Sequence, residues 1–259
     1  MRVNKLLSLL LFLLVITLTS CSHSYKIEGT TSSSILDGKQ LFLKVLQKDT
    51  WVNVDSAEVV HGTFKMKGSI DSVVVASLYM DGESLMPVVL ESGTIKIEIS
   101  DDDMKVSGTP LNDRLYAFIK KKNEMDQAGQ NIDSKEAQMA MNGQDESVIQ
   151  AVKVSSADSL ANAETAFVKK FIRDNYNNAL GASVFIMVCS SLPYPILTPE
   201  IEDILKDAPE SFKQNALVSE FISKAKENAQ LMMEQQRLDQ TESMRTQSKG
   251  QMQPSDSLQ

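Results

Sequence analysis

Cysteine, histidine and long apolar runs are all scarce in this chain of 259 residues, and each shortage removes a class of chemistry. The two cysteines, Cys21 and Cys189, never form a Cys-x-x-Cys. Thiol exchange by that motif needs one attacking thiolate and a second thiol to resolve the mixed disulfide, so the chain cannot carry it out alone. The two histidines, His23 beside the start of the mature chain and His61 in a turn, offer neither metal-ligand spacing nor a nucleophile partner. Positive charge is also short: 26 lysines and arginines stand against 34 acidic residues, a formal balance of −8. Such a surface gives no electrostatic reason to bind nucleic acid. Beyond residue 18 no apolar run approaches the length of a membrane span. No catalytic residue, metal site or cofactor is expected on these grounds.

What is present begins at the N-terminus. Arg2 and Lys5 precede an almost unbroken apolar stretch, residues 6–18, which is too short to cross a bilayer comfortably and has the layout of a signal peptide over residues 1–20. Leu18, Thr19, Ser20 and Cys21 close it, and these four residues resemble the bacterial lipobox. The resemblance implies cleavage between Ser20 and Cys21 and a diacylglycerol on the Cys21 thiol. The alternative is an ordinary secretory signal that contains a cysteine. Each buried acyl CH₂ adds about 0.8 kcal/mol of membrane affinity, so two or three chains on one residue hold where one does not. Loss of residues 1–20 takes Arg2 and Lys5 with it and moves the formal balance from −8 to −10 over the remaining 239 residues. Cys189 is then the only thiol, and the fold has no disulfide to rely on. The resemblance to lipoproteins implies the cell envelope: by analogy with their sorting, neutral Ser22 after the anchor permits an outer membrane, and the lack of an acidic run in 22–24 favours its periplasmic face.

The expected fold class is α+β. An N-terminal antiparallel β-sandwich or open barrel spans 21–108, an all-helical region spans 109–240, and a disordered tail spans 241–259. In the first part, residues 40–48, 51–60, 63–67, 72–80 and 86–91 read as strands, with turns at Lys48-Asp49-Thr50, His61-Gly62 and Asp81-Gly82. Within 51–60 the alternation is imperfect, as in a half-buried strand with a bulge. Residues 94–100 alternate cleanly, with Ile95, Ile97 and Ile99 on one face and Lys96 and Glu98 on the other. Thr109 and Pro110 then fit an N-cap and first helical position, and Leu111, Leu115, Phe118 and Ile119 share a helical face. The polar stretch 126–147, weakened by Gly129 and Gly143, is expected to interrupt the helix. Ile149, Val152, Leu160, Phe167 and Phe171 mark the next stripe. It can pack against the apolar helix expected over 179–192 or join copies of the chain, so the oligomeric state stays open. Pro193 and Pro195 end that helix, Thr198-Pro199-Glu200 starts a short one, and a last helical region follows Pro209 to about residue 238. From Thr241 the sequence is polar and without periodicity.

Several pieces recur together in the β-rich part: Ile27-Glu28-Gly29, Val54-Asp55-Ser56-Ala57, His61-Gly62-Thr63-Phe64, Lys67-Gly68, and Val106-Ser107-Gly108-Thr109 running into Leu111-Asn112. Their order resembles the domain of unknown function that follows the lipobox in many Gram-negative lipoproteins and usually precedes a thioredoxin-like domain. More weakly, residues 175–191 and 198–221 look like that family's helical spacer. The chain departs from the pattern where the thioredoxin-like part would begin, because it runs instead into the stretch after Thr241. The resemblance thus implies an accessory half without its redox enzyme.

The other candidate groups have plain explanations. Cys189 lies in the apolar stretch 184–189, where burial leaves a thiol inert. Asp101-Asp102-Asp103 lacks the spaced ligands and glycine of a calcium loop and suits a solvated turn. Glu200, Glu202 and Asp203 fit the positive end of a helix dipole. Met232, Met233, Met244 and Met252 offer an adaptable contact surface. The expectation is a lipid-anchored accessory or binding protein with no catalytic activity, attached to the membrane through Cys21 and holding an unknown protein or small molecule. The alternative is a non-catalytic component of a thiol-redox or stress system acting with a separate thioredoxin-like protein.

Overall fold

The computed structural model describes residues 23–47 and 50–250. The chain divides into two compact units, Met1–Glu164 and Thr165–Gln259. The first opens with eight strands: β1 (His23–Thr31), β2 (Gln40–Gln47), β3 (Thr50–Glu58), β4 (Thr63–Ile70), β5 (Val74–Met80), β6 (Glu83–Leu90), β7 (Gly93–Ile99) and β8 (Met104–Ser107). They form two four-stranded sheets, ordered β4-β1-β7-β8 and β3-β2-β5-β6. Alternation sets the layers. Ile27, Phe64, Met66, Ile95, Ile97 and Val106 from one sheet meet Leu41, Leu43, Leu78, Val88 and Leu90 from the other, all buried in a single core. The sandwich and the helices after it make the chain α+β.

One strand pair departs from the antiparallel expectation. β1 pairs antiparallel with β4 but parallel with β7, placing Ile27 opposite Ile95. Parallel neighbours need a long connection, and here the whole of the second sheet supplies it. The bulge expected within 51–60 is present as a register shift opposite Leu43 and Lys44. Burial there differs from the half-buried expectation, because β3 is an edge strand and Trp51, Val52 and Val54 are exposed. His61 and Gly62, at φ of 50° and 70°, make the two-residue turn into β4. Such turns match the twist of a hairpin and need left-handed backbone, which glycine takes without strain.

Two long helices complete the first unit's elements, α1 (Pro110–Met141) and α2 (Glu146–Asp174), the division between units falling inside α2. The interruption expected over 126–147 shrinks to residues 142–145. Gly129 costs a helix about 1 kcal/mol relative to alanine, yet glutamine, lysine, glutamate, alanine and methionine around it are strong helix formers. The position also faces the partner helix, since a Cβ there would stand 3.5 Å from Leu160. Lys122 reaches Glu164 at 3.0 Å and Lys153 reaches Glu136 at 2.5 Å, so α1 and the first part of α2 run as an antiparallel hairpin.

In the second unit follow α3 (Ala179–Cys189), α4 (Pro199–Lys206), α5 (Glu210–Lys213) and α6 (Ala216–Gly250). The Asn178 side chain caps α3 at Leu180 N, and the Thr198 hydroxyl caps α4 at Ile201 N. Phe185, Phe212 and Phe221 meet edge to face at 5.7 Å in the centre of this unit. Gly181 allows the backbone to pack there, since a Cβ would lie 2.3 Å from the Asn175 carbonyl oxygen. α6 continues past residue 238 and past Thr241 to Gly250, where the sequence expectation had ended the helix and begun the tail. No proline or glycine interrupts 216–249, so local propensity carries the helix on although residues 231–242 are exposed. Residues 251–259, with Met252, lie outside the described residues.

Candidate functional site

The recurring motif pieces meet in pairs, and each pair builds the sandwich. Gly29 on β1 lies opposite Phe64 on β4, and an added Cβ would sit 2.0 Å from the phenyl ring. Four residues away the arrangement reverses: Tyr25 lies opposite Gly68, whose Cβ would stand 2.6 Å from the tyrosine hydroxyl oxygen. In both places an aromatic ring covers a glycine across the strand pair, filling the space that the missing side chain leaves. The Tyr25 hydroxyl then donates to Asp55 Oδ2 at 3.1 Å. Burial, and after it the Asp55 carboxylate, pushes that hydroxyl up to about 12. The His61-Gly62 turn is tied down as well, with Gly62 N–H donating to Asp37 Oδ1 at 3.1 Å and Thr31 N–H donating to the Gly62 carbonyl at 2.8 Å.

The last motif piece joins the sandwich to the helix. β6 is an edge strand, and its Val89 N–H and C=O would otherwise be buried without partners. Asn112 in the first turn of α1 takes the place of a neighbouring strand: Oδ1 accepts from Val89 N at 2.8 Å, and Nδ2 donates to Val89 O at 2.8 Å. Nδ2 also donates to Thr109 Oγ1 at 2.8 Å. Thr109 holds the N-cap position but not the capping bond. Glu91, twenty residues earlier, does that work by accepting from Leu111 N at 2.8 Å and Asn112 N at 3.1 Å. Tyr116, one turn on, donates to the Pro87 carbonyl at 3.1 Å.

These contacts span the stretch from β1 to the opening of α1. Residues 25–115 match the family model described as a domain of unknown function, DUF4369. The DUF4369 segment therefore runs from Tyr25, which covers Gly68, to the turn of α1 that holds Asn112. No curated protein matches the chain. Among the motif residues, Gly29, Phe64, Asp55, Gly62, Gly68, Thr109 and Asn112 all have partners inside the fold.

Outside those contacts a groove of about 620 Å³ lies between β8 and α1, lined partly by the matched residues and partly by the turns of α1 that follow residue 115. Asp103, Lys105, Asp113, Tyr116, Lys120 and Glu124 line it among others, so both signs of charge face the space. Burial, then the Asp103 carboxylate, raises the Tyr116 hydroxyl far above its ordinary value. A second open surface lies on the other sheet, where Trp51 packs against Tyr79 at 5.6 Å and Lys44 Nζ stands 4.4 Å above the Tyr79 ring.

The remaining sequence candidates are scattered. Ser20 and Cys21 lie outside the described residues, and His23 opens β1. His61 stands in the β3–β4 turn. Asp101-Asp102-Asp103 forms the β7–β8 turn, closed by Ser100 Oγ donating to the Asp103 carbonyl at 2.9 Å. Among the described residues no three potential ligands converge on a metal position. Glu200 and Glu202 occupy the first turn of α4 as expected, whereas Asp203 accepts from Lys169 and from Arg173 and is held below the usual carboxylate range by Lys169 first. Sequence reasoning missed Glu91 and Asn112 as a pair, because the carboxylate and the helix turn it caps are far apart in the chain.

Cys189 is buried at the end of α3, and burial pushes its thiol from an ordinary 9.0 up to about 12. That rise leaves about a thousandfold less thiolate at pH 8. Reaction of the native protein with a maleimide at pH 8 is expected to be at least about a hundredfold slower than in denaturant. Comparable rates in the two states would show an accessible, reactive thiol. The preference for the neutral thiol stabilises the fold fully below about pH 9, and this contribution is lost as pH rises toward 12.

Proposed function

We propose that this protein is a lipid-anchored, periplasm-facing accessory protein that holds a partner and performs no catalysis of its own. Diacylglycerol on Cys21 tethers it, and the groove between β8 and α1 is the surface it offers. One observation carries the reading. Gly29, Phe64, Gly68, Asp55 and Asn112, the motif residues that mark the segment, all engage other parts of the sandwich. What the sandwich and α1 leave open to solvent is surface, and in the groove between them that surface carries mixed charge suited to a polar protein segment.

Crosslinking in the cell tests this. A photo-crosslinking residue at Asn123, in the groove, is expected to trap one discrete partner, while the same residue at Asp81, in the β5–β6 turn, traps none. Absence of any adduct at Asn123, or equal adducts at both positions, would overturn the reading. Capture of a thioredoxin-like protein would move the chain into a thiol-redox or stress system, which the order of its motifs favours as the second reading.

A further inference from the structure

In a chain whose formal balance is −8, one face of one sheet is basic. The outward positions of β4-β1-β7-β8 follow from its registers. Lys67 lies beside Lys26 and Thr94; Lys65 beside Glu28, Lys96 and Ser107; and Thr63 beside Thr30, Glu98 and Lys105. Five lysines against two glutamates leave three net positive charges. The five lysines are all exposed. They act together: Lys26, with Lys65 and Lys96 behind it, holds the Glu28 carboxyl below its ordinary range.

The charge is graded along the strands. The row of Lys67 and Lys26 carries two positive charges, the next row one, and the row of Glu98 and Lys105 none. Beyond that row comes the acidic β7–β8 turn, Asp101-Asp102-Asp103. The positive end is therefore the end at which β1 begins, at His23, two residues after Cys21. At about 3.4 Å per residue Lys26 stands no more than about 17 Å along the chain from Cys21.

We propose that this face rests on an anionic lipid surface, its lysine-rich end meeting the phosphates of headgroups beside the anchor. The identity of the surface rests on the anchored reading above; the charge of the face does not. Lysine ammoniums are compact, hydrated charges that suit diffuse attraction to phosphate, and each adds to the pull of an anionic leaflet. Ionic screening over about 10 Å lets this local face act despite the acidic remainder of the molecule. A protein partner would call for an apolar or aromatic anchor, and the outward positions of the face hold lysine, glutamate, serine and threonine instead.

The test uses the chain from Ser22 onward, which keeps both units and every described residue without the lipid. Flotation at low salt is expected to show at least about tenfold more protein on phosphatidylcholine vesicles containing about 30% phosphatidylglycerol than on phosphatidylcholine alone, with release at about 0.5 M salt. Lys65→Gln/Lys67→Gln/Lys96→Gln should fall to the phosphatidylcholine level. Lys135→Gln/Lys170→Gln/Lys226→Gln, exposed lysines away from both this face and the groove and with the same change in net charge, should float like wild type. Equal flotation on both vesicles, or equal loss in the two triple variants, overturns the proposal. So does tighter retention on polyglutamate than on vesicles, which would assign the face to acidic proteins. Radioactive fatty acid fed to cells making the full chain tests the anchor separately: label on wild type and none on Cys21→Ser supports it, and failure there leaves the vesicle result standing.

Discussion

Asn112→Ala should cost the DUF4369 segment about 3 kcal/mol, read as a lowered urea midpoint or melting temperature. The asparagine is fully buried, and its carboxamide makes three hydrogen bonds of 2.8 Å: one from Val89 N, one to Val89 O and one to Thr109 Oγ1. Alanine leaves the N–H and C=O of an edge strand without partners inside the protein, and each such group costs about 1–3 kcal/mol. Asn112→Asp separates the hydrogen-bonding account from simple packing. Its carboxylate still accepts from Val89 N, but it faces the Val89 carbonyl with no proton to give and stands near Glu91. At pH 7 the aspartate variant should be at least as unstable as the alanine variant, and it should recover as the pH falls and the new carboxyl gains a proton. A loss under about 1 kcal/mol for alanine would mean that water replaces the bonds.

Gly29→Ala should be comparably severe, about 3 kcal/mol, and for a different reason. The new methyl would fall 2.0, 2.2 and 2.4 Å from three carbons of the Phe64 ring. That ring is only 3% exposed, so it has nowhere to go without opening the core. Phe64→Leu alone should cost about 1–2 kcal/mol through lost packing, and the double variant should be less damaged than the sum by at least about 1 kcal/mol. Strict additivity would sink the steric explanation. Gly68→Ala is the internal comparison: its methyl meets the tip of Tyr25, with the closest atom at 2.6 Å, and a side-chain tip yields more easily than the middle of a buried ring. Its cost should be smaller and should include the bond from Tyr25 to Asp55.

The sequence shows what each residue would do locally and little of what it would meet. The alternation of Ile95, Ile97 and Ile99 with Lys96 and Glu98 identifies β7 and its inner face, because period two leaves one side for the core. Asp81-Gly82 and His61-Gly62 mark turns because left-handed backbone is costly elsewhere. Whether a strand lies at an edge is a property of its neighbours, so 51–60 reads as half-buried although β3 is largely exposed. Gly129 shows the same limit in a helix: its local cost is visible, but its closeness to Leu160 is not. The motif order identifies the DUF4369 segment without explaining it. The explanation is pairwise and long-range, Gly29 with Phe64, Tyr25 with Asp55, Glu91 with the turn of Asn112, and none of those pairs is adjacent in the chain.

The place of β1 constrains the order of events during synthesis. It is the first strand of the described chain, yet it lies inside its sheet, between β4 and β7. Its parallel partner is complete only at Ile99, after the entire second sheet has been made. The strands of that second sheet pair with nearer neighbours and form with little loop-closure entropy, whereas β1 must wait with one side unmatched. Docking of β7 beside β1 is the slow, late step this topology imposes. Until then an open strand edge is a liability for misassociation. A nascent chain that stalls before Ile99 should therefore be the form that chaperones and proteases find first.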